Sequence, residues 1–284
     1  MKLLQLMTDF FNNLKNRTPY NAKLPEDMLY YSNLSNHFPI SRIPPPGIHK
    51  WLSEHEARKS INYKEFSYNI NDIGFRDDYP GMLEPCIGYF GCSCTFGEGL
   101  PTEETFFHII SNELGYRSLN LGMLGTGVDR IHMTFAAAAN IWNIKIAVIT
   151  LPNHSRISYT DKNGEIVNIN PPNTPSVSDE NKKLADPIRI QSLYTKHFNN
   201  EYFYAHAKDH IQGIINVAKL NDIKLILGTW SSTTERLIQK CFNYNSIMLD
   251  HGDKARDNLH PGKISNKQYA EEIIENIKDE KFFE

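Results

Sequence analysis

The 284-residue chain has few cysteines, no marked excess of either charge and no long apolar run. Its four cysteines are too few to hold a chain of this length together as a disulfide scaffold. The formal net charge of -3 lacks the basic footprint of a nucleic-acid-binding protein, so no nucleic-acid partner is expected. No run approaches the roughly 20 apolar residues of a membrane span, and no stretch has the pattern of a secretory signal. We therefore expect a soluble protein, cytoplasmic by default.

Neither metal nor nucleotide binding is indicated by the motifs. Cys86, Cys92 and Cys94 form a C-x5-C-x-C cluster that does not match common zinc spacings, and Cys241 lies far along the chain. The glycine-rich stretch GYFGCSCTFGEG fits neither G-x-G-x-x-G nor the phosphate-binding G-K-[ST] pattern. We expect no metal ion and no cofactor.

A change in sequence character near residue 85 predicts two parts. Residues 1–84 are rich in aromatic residues, Asn and Pro, and we expect them to form an appendage packed on the main domain. Their clearest signal is the alternation of Phe66, Tyr68 and Ile70, which predicts a strand before a glycine turn. Residues 85–284 form the predicted main domain.

The main domain carries a predicted insertion at about residues 155–198. It contains the pattern ISYTDKNGEIVNI, which predicts a hairpin with Asn163-Gly164 at its turn. The following stretch from Asn170 to Asn181 is rich in Pro, Ser and Asn, and we expect a mobile loop near the functional site.

Short apolar stretches in the main domain alternate with helical patterns, among them TEETFFHIISNELG, which predicts a helix from Thr102 that ends at Gly115. The predicted strands, in order, are CIGYFG, RSLNLG, IKIAVITL, IKLILGTW and NSIMLD. This alternation predicts an α/β fold of three layers, with helices on both faces of a five-stranded parallel sheet. Ligands of such sheets bind beyond the carboxyl ends of the strands, so the loops there are the candidate site.

Four of these loops carry residues with catalytic chemistry. GCSCTFG after the first strand holds Ser93, and NLGMLGTG after the second holds Gly125. LPNHS after the third holds Asn153, and DNLHPG after the fifth holds Asp257 and His260. A serine on a tight turn, a histidine and an aspartate can supply a nucleophile, a base and an orienting group. Glycine and asparagine can donate hydrogen bonds to an oxyanion.

In order and content these blocks resemble the SGNH hydrolases, the GDSL-like esterase and lipase superfamily. GCSCTFG is similar to the block G-D-S-x-T-x-G, NLGMLG matches N-x-G-x-x-G, and DNLHP matches D-x-x-H-P. LPNHS keeps only the asparagine of the block G-x-N-D. The resemblance covers residues from about 85 to 275 and implies a flavodoxin-like sheet.

The resemblance also implies a role for each site residue. Ser93 would be the nucleophile, His260 the general base and Asp257 the residue that orients His260. The oxyanion hole would consist of the backbone N–H groups of Ser93 and Gly125 and the side-chain amide of Asn153. The implied activity is hydrolysis of a small acyl ester through an acyl-enzyme, on a carbohydrate O-acetyl group or a short-chain lipid ester. The implied partner is thus a small-molecule or glycan ester.

Two departures from the family pattern leave alternatives open. Cys92 stands where the family has the aspartate that generally braces the turn before the serine, and His154 stands where the third block has aspartate. A catalytically retired protein of the same fold, with a binding or structural role, is therefore the alternative function. Cys92 and Cys94 are expected to be small buried residues, and a cysteine nucleophile is the alternative for them.

Overall fold

The computed structural model describes residues 47–50, 67–71, 75–160, 166–169, 200–257 and 259–279. Most of the N-terminal part and most of the insertion lie outside these ranges, as do the Asn163-Gly164 turn and the loop expected at Asn170 to Asn181.

The described strands are β1 (Gly47–Lys50), β2 (Ser67–Ile70), β3 (Cys86–Gly91), β4 (Arg117–Gly122), β5 (Ile144–Leu151), β6 (Ile157–Thr160), β7 (Ile166–Ile169), β8 (Lys224–Thr229) and β9 (Ile247–Met248). The described helices are α1 (Ser93–Phe96), α2 (Phe106–Leu114), α3 (Val128–Ala139), α4 (Asn200–Leu220), α5 (Ser232–Phe242) and α6 (Lys263–Lys278), with a 3-10 turn at Thr102–Glu104.

The central sheet has five parallel strands in the order β4-β3-β5-β8-β9. Counted along the chain within this sheet, the order is 2-1-3-4-5, the flavodoxin-like doubly wound arrangement. The predicted fold class is therefore confirmed. Two antiparallel pairs, β1 with β2 and β6 with β7, lie outside the central sheet, and β6 with β7 is the hairpin predicted in the insertion.

Alternate residues of each strand face opposite layers of helices, as the two-residue period of a strand requires. Cys86 and Phe90 of β3 pack in one buried cluster with helices α3, α4 and α5. Ile87 and Tyr89 of the same strand pack in a second cluster with helices α2 and α6. Both faces of the sheet are thus covered, which explains why its strands read as continuous apolar runs.

Two predicted boundaries were wrong in detail. NSIMLD was expected to form a strand throughout, but β9 comprises only Ile247 and Met248 because it pairs with β8 at the sheet edge, where short strands are usual. The helix expected from Thr102 is interrupted at Thr105, whose backbone is extended, and α2 begins at Phe106. Asn266 of α6 accepts a hydrogen bond from the Phe106 N–H at 3.1 Å and so fixes this helix start.

The described part of the N-terminal segment shares the core of the sheet. Tyr68 and Ile70 of β2 and the following Phe75 are buried in the same cluster as α3. Within the described ranges, no helix is both long enough and apolar enough to cross a bilayer.

Candidate active site

The turn between β3 and α1 presents Ser93 at the carboxyl edge of the sheet. Ser93 is the first residue of α1, and the backbone of the preceding Cys92 is extended, so the chain turns sharply between strand and helix. Gly97 and Gly99 follow with φ values of 78° and 80°, a left-handed conformation that glycine adopts without strain. The glycines of GCSCTFGEG therefore let the chain fold back over the sheet beside the serine.

Arg76 braces this turn from the N-terminal segment. Its Nη1 donates to the carbonyls of Phe96 and Gly97 at 3.0 and 2.6 Å, and its Nη2 donates to the carbonyl of Leu100 at 2.8 Å. The guanidinium also lies over the ring of Tyr68, 4.5 Å from its centroid. Because Arg76 is only 1% exposed, these contacts replace its hydration and hold the turn that carries Ser93 in place.

Ser93, His260 and Asp257 are joined by hydrogen bonds. Ser93 Oγ lies 2.8 Å from His260 Nε2, and His260 Nδ1 lies 2.5 Å from Asp257 Oδ2. Asp257 Oδ1 also accepts hydrogen bonds from the backbone N–H groups of Leu259 and His260. A neutral imidazole that donates from Nδ1 to Asp257 therefore has the lone pair of Nε2 on the Ser93 hydroxyl. This is the arrangement that general-base activation of a serine requires.

The pKa values of Asp257 and His260 are set by burial and by their contacts. Burial alone would raise the pKa of the Asp257 carboxyl, but the hydrogen bonds from His260 and from the backbone hold it below its ordinary value. Burial opposes the charged form of His260, but Glu98 and Asp257 outweigh it and raise the pKa of His260 to about 9. The site therefore contains an ionised aspartate and an unusually basic imidazole.

Glu98 is a site residue that the sequence motifs did not identify. Its Oε2 lies 3.4 Å from His260 Nε2, and the Glu98 side chain is 22% exposed. The sequence GCSCTFGEG shows a glutamate in the turn that carries Ser93, but the direction of its side chain depends on the left-handed glycines on either side of it.

The same three groups form a candidate for metal binding. Glu98, Asp257 and His260 each offer a ligand atom within 4.8 Å of the others, and no other such group of three occurs in the described ranges. Both ring nitrogens of His260, however, already have hydrogen-bond partners in Asp257 and Ser93. These contacts favour a proton-transfer site over a metal centre.

Cys92, in the position of the family's aspartate, is buried and accepts a hydrogen bond. Trp230 Nε1 donates to Cys92 Sγ at 3.2 Å. A hydrogen bond from Cys94 lowers the pKa of the Cys92 thiol well below its usual range, and the Arg156 guanidinium adds to this. Cys92 is thus not only a small buried apolar residue, as expected, but also the acceptor for a polar group. Ser93, and neither thiol, makes the hydrogen bond to His260.

Gly125 and Asn153 lie on the loops that follow β4 and β5. Gly125 has φ of 70°, and Asn153 Nδ2 lies 3.4 Å from Thr233 Oγ1. The side-chain oxygen of Asn153 accepts hydrogen bonds from the N–H and the hydroxyl of Ser155. Both loops are at the carboxyl edge of the sheet, as Ser93 is, and their role in an oxyanion hole stays a prediction.

Other polar residues near the site have different contacts. Asp253 accepts hydrogen bonds from the backbone N–H groups of Ile264 and Ser265 and so caps α6. The backbone N–H of His154 donates to Thr234 Oγ1, and burial lowers the pKa of the His154 imidazole. Neither residue takes part in the hydrogen-bonded chain from Ser93 to Asp257.

No family model and no curated protein matches the chain. A solved structure of a protein assigned to the lipolytic G-D-S-L family, from Desulfitobacterium hafniense DCB-2, aligns at 14% identity over 69% of this chain and 99% of that chain, with a TM-score of 0.42. An acetyl xylan esterase from the rumen bacterium Butyrivibrio proteoclasticus aligns at 11% identity over 72% of this chain and 66% of that chain, with a TM-score of 0.47. A family two carbohydrate esterase from Clostridium thermocellum, solved with cellohexaose, aligns at 14% identity over 72% of this chain and 67% of that chain, with a TM-score of 0.44.

At this level of similarity the activities of these neighbours are properties of those proteins alone. The features of this chain itself are the four sequence blocks, the strand order of the sheet, and the hydrogen-bonded set of Ser93, His260 and Asp257. The sequence blocks resemble those of the SGNH hydrolase superfamily, and the strand order is the flavodoxin-like one that this resemblance implied.

Proposed function

We propose that the protein is a serine ester hydrolase that works through a covalent acyl-enzyme. The observation that carries the proposal is the chain of hydrogen bonds from Ser93 Oγ through the His260 imidazole to Asp257 Oδ2. A hydroxyl, an imidazole and a carboxylate in this order make a serine nucleophilic near neutral or alkaline pH.

In the first half-reaction, His260 Nε2 takes the hydroxyl proton while Ser93 Oγ attacks the ester carbonyl carbon. The resulting oxyanion would be stabilised by the N–H groups of Ser93 and Gly125 and the amide of Asn153. His260 then gives the proton to the leaving alcohol oxygen as the ester bond breaks. In the second half-reaction, His260 takes a proton from water while the water oxygen attacks the acyl carbon. His260 then returns the proton to Ser93 Oγ as the bond between that oxygen and the acyl carbon breaks, which releases the acid and restores Ser93.

The substrate that we propose is a small acyl ester, such as an O-acetyl group on a carbohydrate or a short-chain lipid ester. Ser93 is only 8% exposed and the adjacent Cys94 is buried as well, so the hydroxyl has little open surface, which favours a small acyl group over a bulky one.

A catalytically retired protein with a binding role is the second candidate. The observation that favours it is the combination of Cys92 in the position of the family's aspartate and Glu98 beside the nitrogen that must accept the serine proton. The two functions differ in whether Ser93 becomes acylated.

Hydrolysis of p-nitrophenyl acetate, butyrate and octanoate by wild type, Ser93→Ala and His260→Gln tests the proposal. Each variant should lose a factor of at least about 10³ in kcat, because nucleophile and base act as a unit. Ser232→Ala, which changes an exposed serine at the start of α5, should keep wild-type activity. Equal rates in wild type and Ser93→Ala would leave the retired-site function as the better account.

A further inference from the structure

Glu98 gives the imidazole of His260 a second carboxylate. Glu98 Oε2 lies 3.4 Å from His260 Nε2, the nitrogen that also lies 2.8 Å from Ser93 Oγ. Asp257 is already hydrogen-bonded at Nδ1. A serine–histidine–aspartate triad needs only the carboxylate at Nδ1, so Glu98 has a position that the proposed mechanism does not use.

The backbone holds Glu98 in this position. Its N–H donates to the Ser93 carbonyl at 3.1 Å, and the N–H of the next residue, Gly99, donates to the Tyr68 hydroxyl at 2.8 Å. The Gly99 carbonyl accepts a hydrogen bond from the Arg256 N–H at 3.2 Å. Because the backbone is tied on both sides of Glu98, the start of its side chain is fixed beside the site.

Among the titratable groups around Glu98, His260 is the one that can balance its negative charge. Burial raises the pKa of the Glu98 carboxyl, and Asp257 and Cys92 add to this, whereas His260 lowers it and is the only one of these groups that can be positive. Tyr68 faces the site from β2, and burial raises its pKa, so it stays neutral. His251 faces it from the loop after β9, and burial lowers the pKa of that imidazole.

We propose that Glu98 is a positioning residue that holds a proton on His260 Nε2 in the resting site and so restricts the esterase to alkaline conditions. The inference rests on the proposed ester hydrolysis. A protonated Nε2 donates to Glu98 and Ser93 and has no lone pair with which to accept the serine proton. The free enzyme becomes competent when His260 loses this proton.

The size of the effect follows from the charge of Glu98. With a pKa of about 9 for His260, roughly 1% of the imidazole is neutral at pH 7. An opposite charge at this distance shifts a pKa by about 1–3 units, so Glu98→Gln should increase the neutral fraction at pH 7 about 10-fold or more. Above about pH 10 the imidazole is neutral in both proteins, and the difference should disappear.

The test measures kcat/KM for p-nitrophenyl acetate from about pH 5 to about pH 11, together with the side-chain NMR titration of His260. Wild type and Glu98→Gln are compared with Glu103→Gln, which changes an exposed carboxylate of the neighbouring 3-10 turn. All samples contain EDTA, so that adventitious metal ions do not contribute. We expect both the acid limb of the profile and the His260 titration to move to lower pH in Glu98→Gln alone.

An unchanged His260 titration in Glu98→Gln would overturn the inference, whatever the activity of the protein. A shifted His260 titration with an unshifted rate profile would overturn it as well, because Glu98 would then not determine the pH at which His260 can act as the base. If no Ser93-dependent turnover occurs at any pH, the proposed function itself fails, and a shifted titration would reduce Glu98 to an ion-pair partner of His260. The NMR readout therefore separates the two failures.

Discussion

Replacing Arg76 by methionine should destabilise the protein through the turn that carries Ser93. Methionine keeps most of the side-chain length and removes the guanidinium. The carbonyls of Phe96, Gly97 and Leu100 would then lose a charged donor in a region closed to water.

The expected loss can be worked out from these contacts. A hydrogen bond to a charged group contributes about 1.5–3 kcal/mol, and three of them set an upper range of roughly 4.5–9 kcal/mol. Removing the charge also removes the cost of burying it. We therefore expect the free energy of unfolding to fall by about 3–5 kcal/mol, the range typical of removing one partner from a buried charged contact. For a domain of this size, that corresponds to a decrease in Tm of about 10 °C.

Urea unfolding and calorimetry of Arg76→Met measure the loss, with Arg117→Met as the matched control. Arg117 is 57% exposed, and its Nε lies 3.8 Å from Glu84. Such an exposed ion pair contributes about 0–1 kcal/mol to the free energy of unfolding. If Arg76→Met does not fold, Arg76→Lys replaces it, since lysine keeps the charge but cannot reach all three carbonyls at once. A loss in the Arg76 variant no larger than in the Arg117 variant would refute the idea that Arg76 braces the turn.

Three further predictions concern residues of the candidate site. Asp257→Asn should lower kcat by about 10³–10⁴ with little change in KM, because the imidazole loses its orienting anion; steady-state kinetics check this, and a loss below tenfold would contradict it. Asn153→Ala should lower kcat by about 10²–10³ if its amide stabilises the oxyanion, whereas an unchanged kcat would remove Asn153 from that role. Cys92→Ala should lower the free energy of unfolding by about 1–3 kcal/mol in urea, because Trp230 Nε1 loses its acceptor. Cys92→Ser should recover part of that loss, and equal losses in the two variants would show that the hydrogen bond does not matter.

The sequence predicted the sheet well because its signal is local. The strands β3, β5 and β8 are largely apolar runs bounded by turn residues, and helices between parallel strands follow from the chain connections. The short β9 was overestimated because apolar residues do not show how far a neighbouring strand extends. The break at Thr105 depends on a hydrogen bond from Asn266, which is distant in sequence.

The site was only partly predictable, because some of its contacts form only when the chain has folded. Ser93, Asp257 and His260 stand in recognisable blocks, and the structure brings them into hydrogen-bond contact. The contacts of Glu98 and Arg76 depend on where their side chains point across a folded turn. Their partners become neighbours only when the left-handed glycines close the turn, so no spacing in the sequence indicates them.

The most direct test of an activated serine is labelling with a fluorophosphonate, read by intact mass and peptide mapping. We predict a single adduct on Ser93 that is absent in Ser93→Ala, retained in Ser232→Ala and formed faster as the pH rises toward 9. Folded wild-type protein that forms no adduct, or forms one at another residue, would contradict the catalytic role of Ser93, His260 and Asp257.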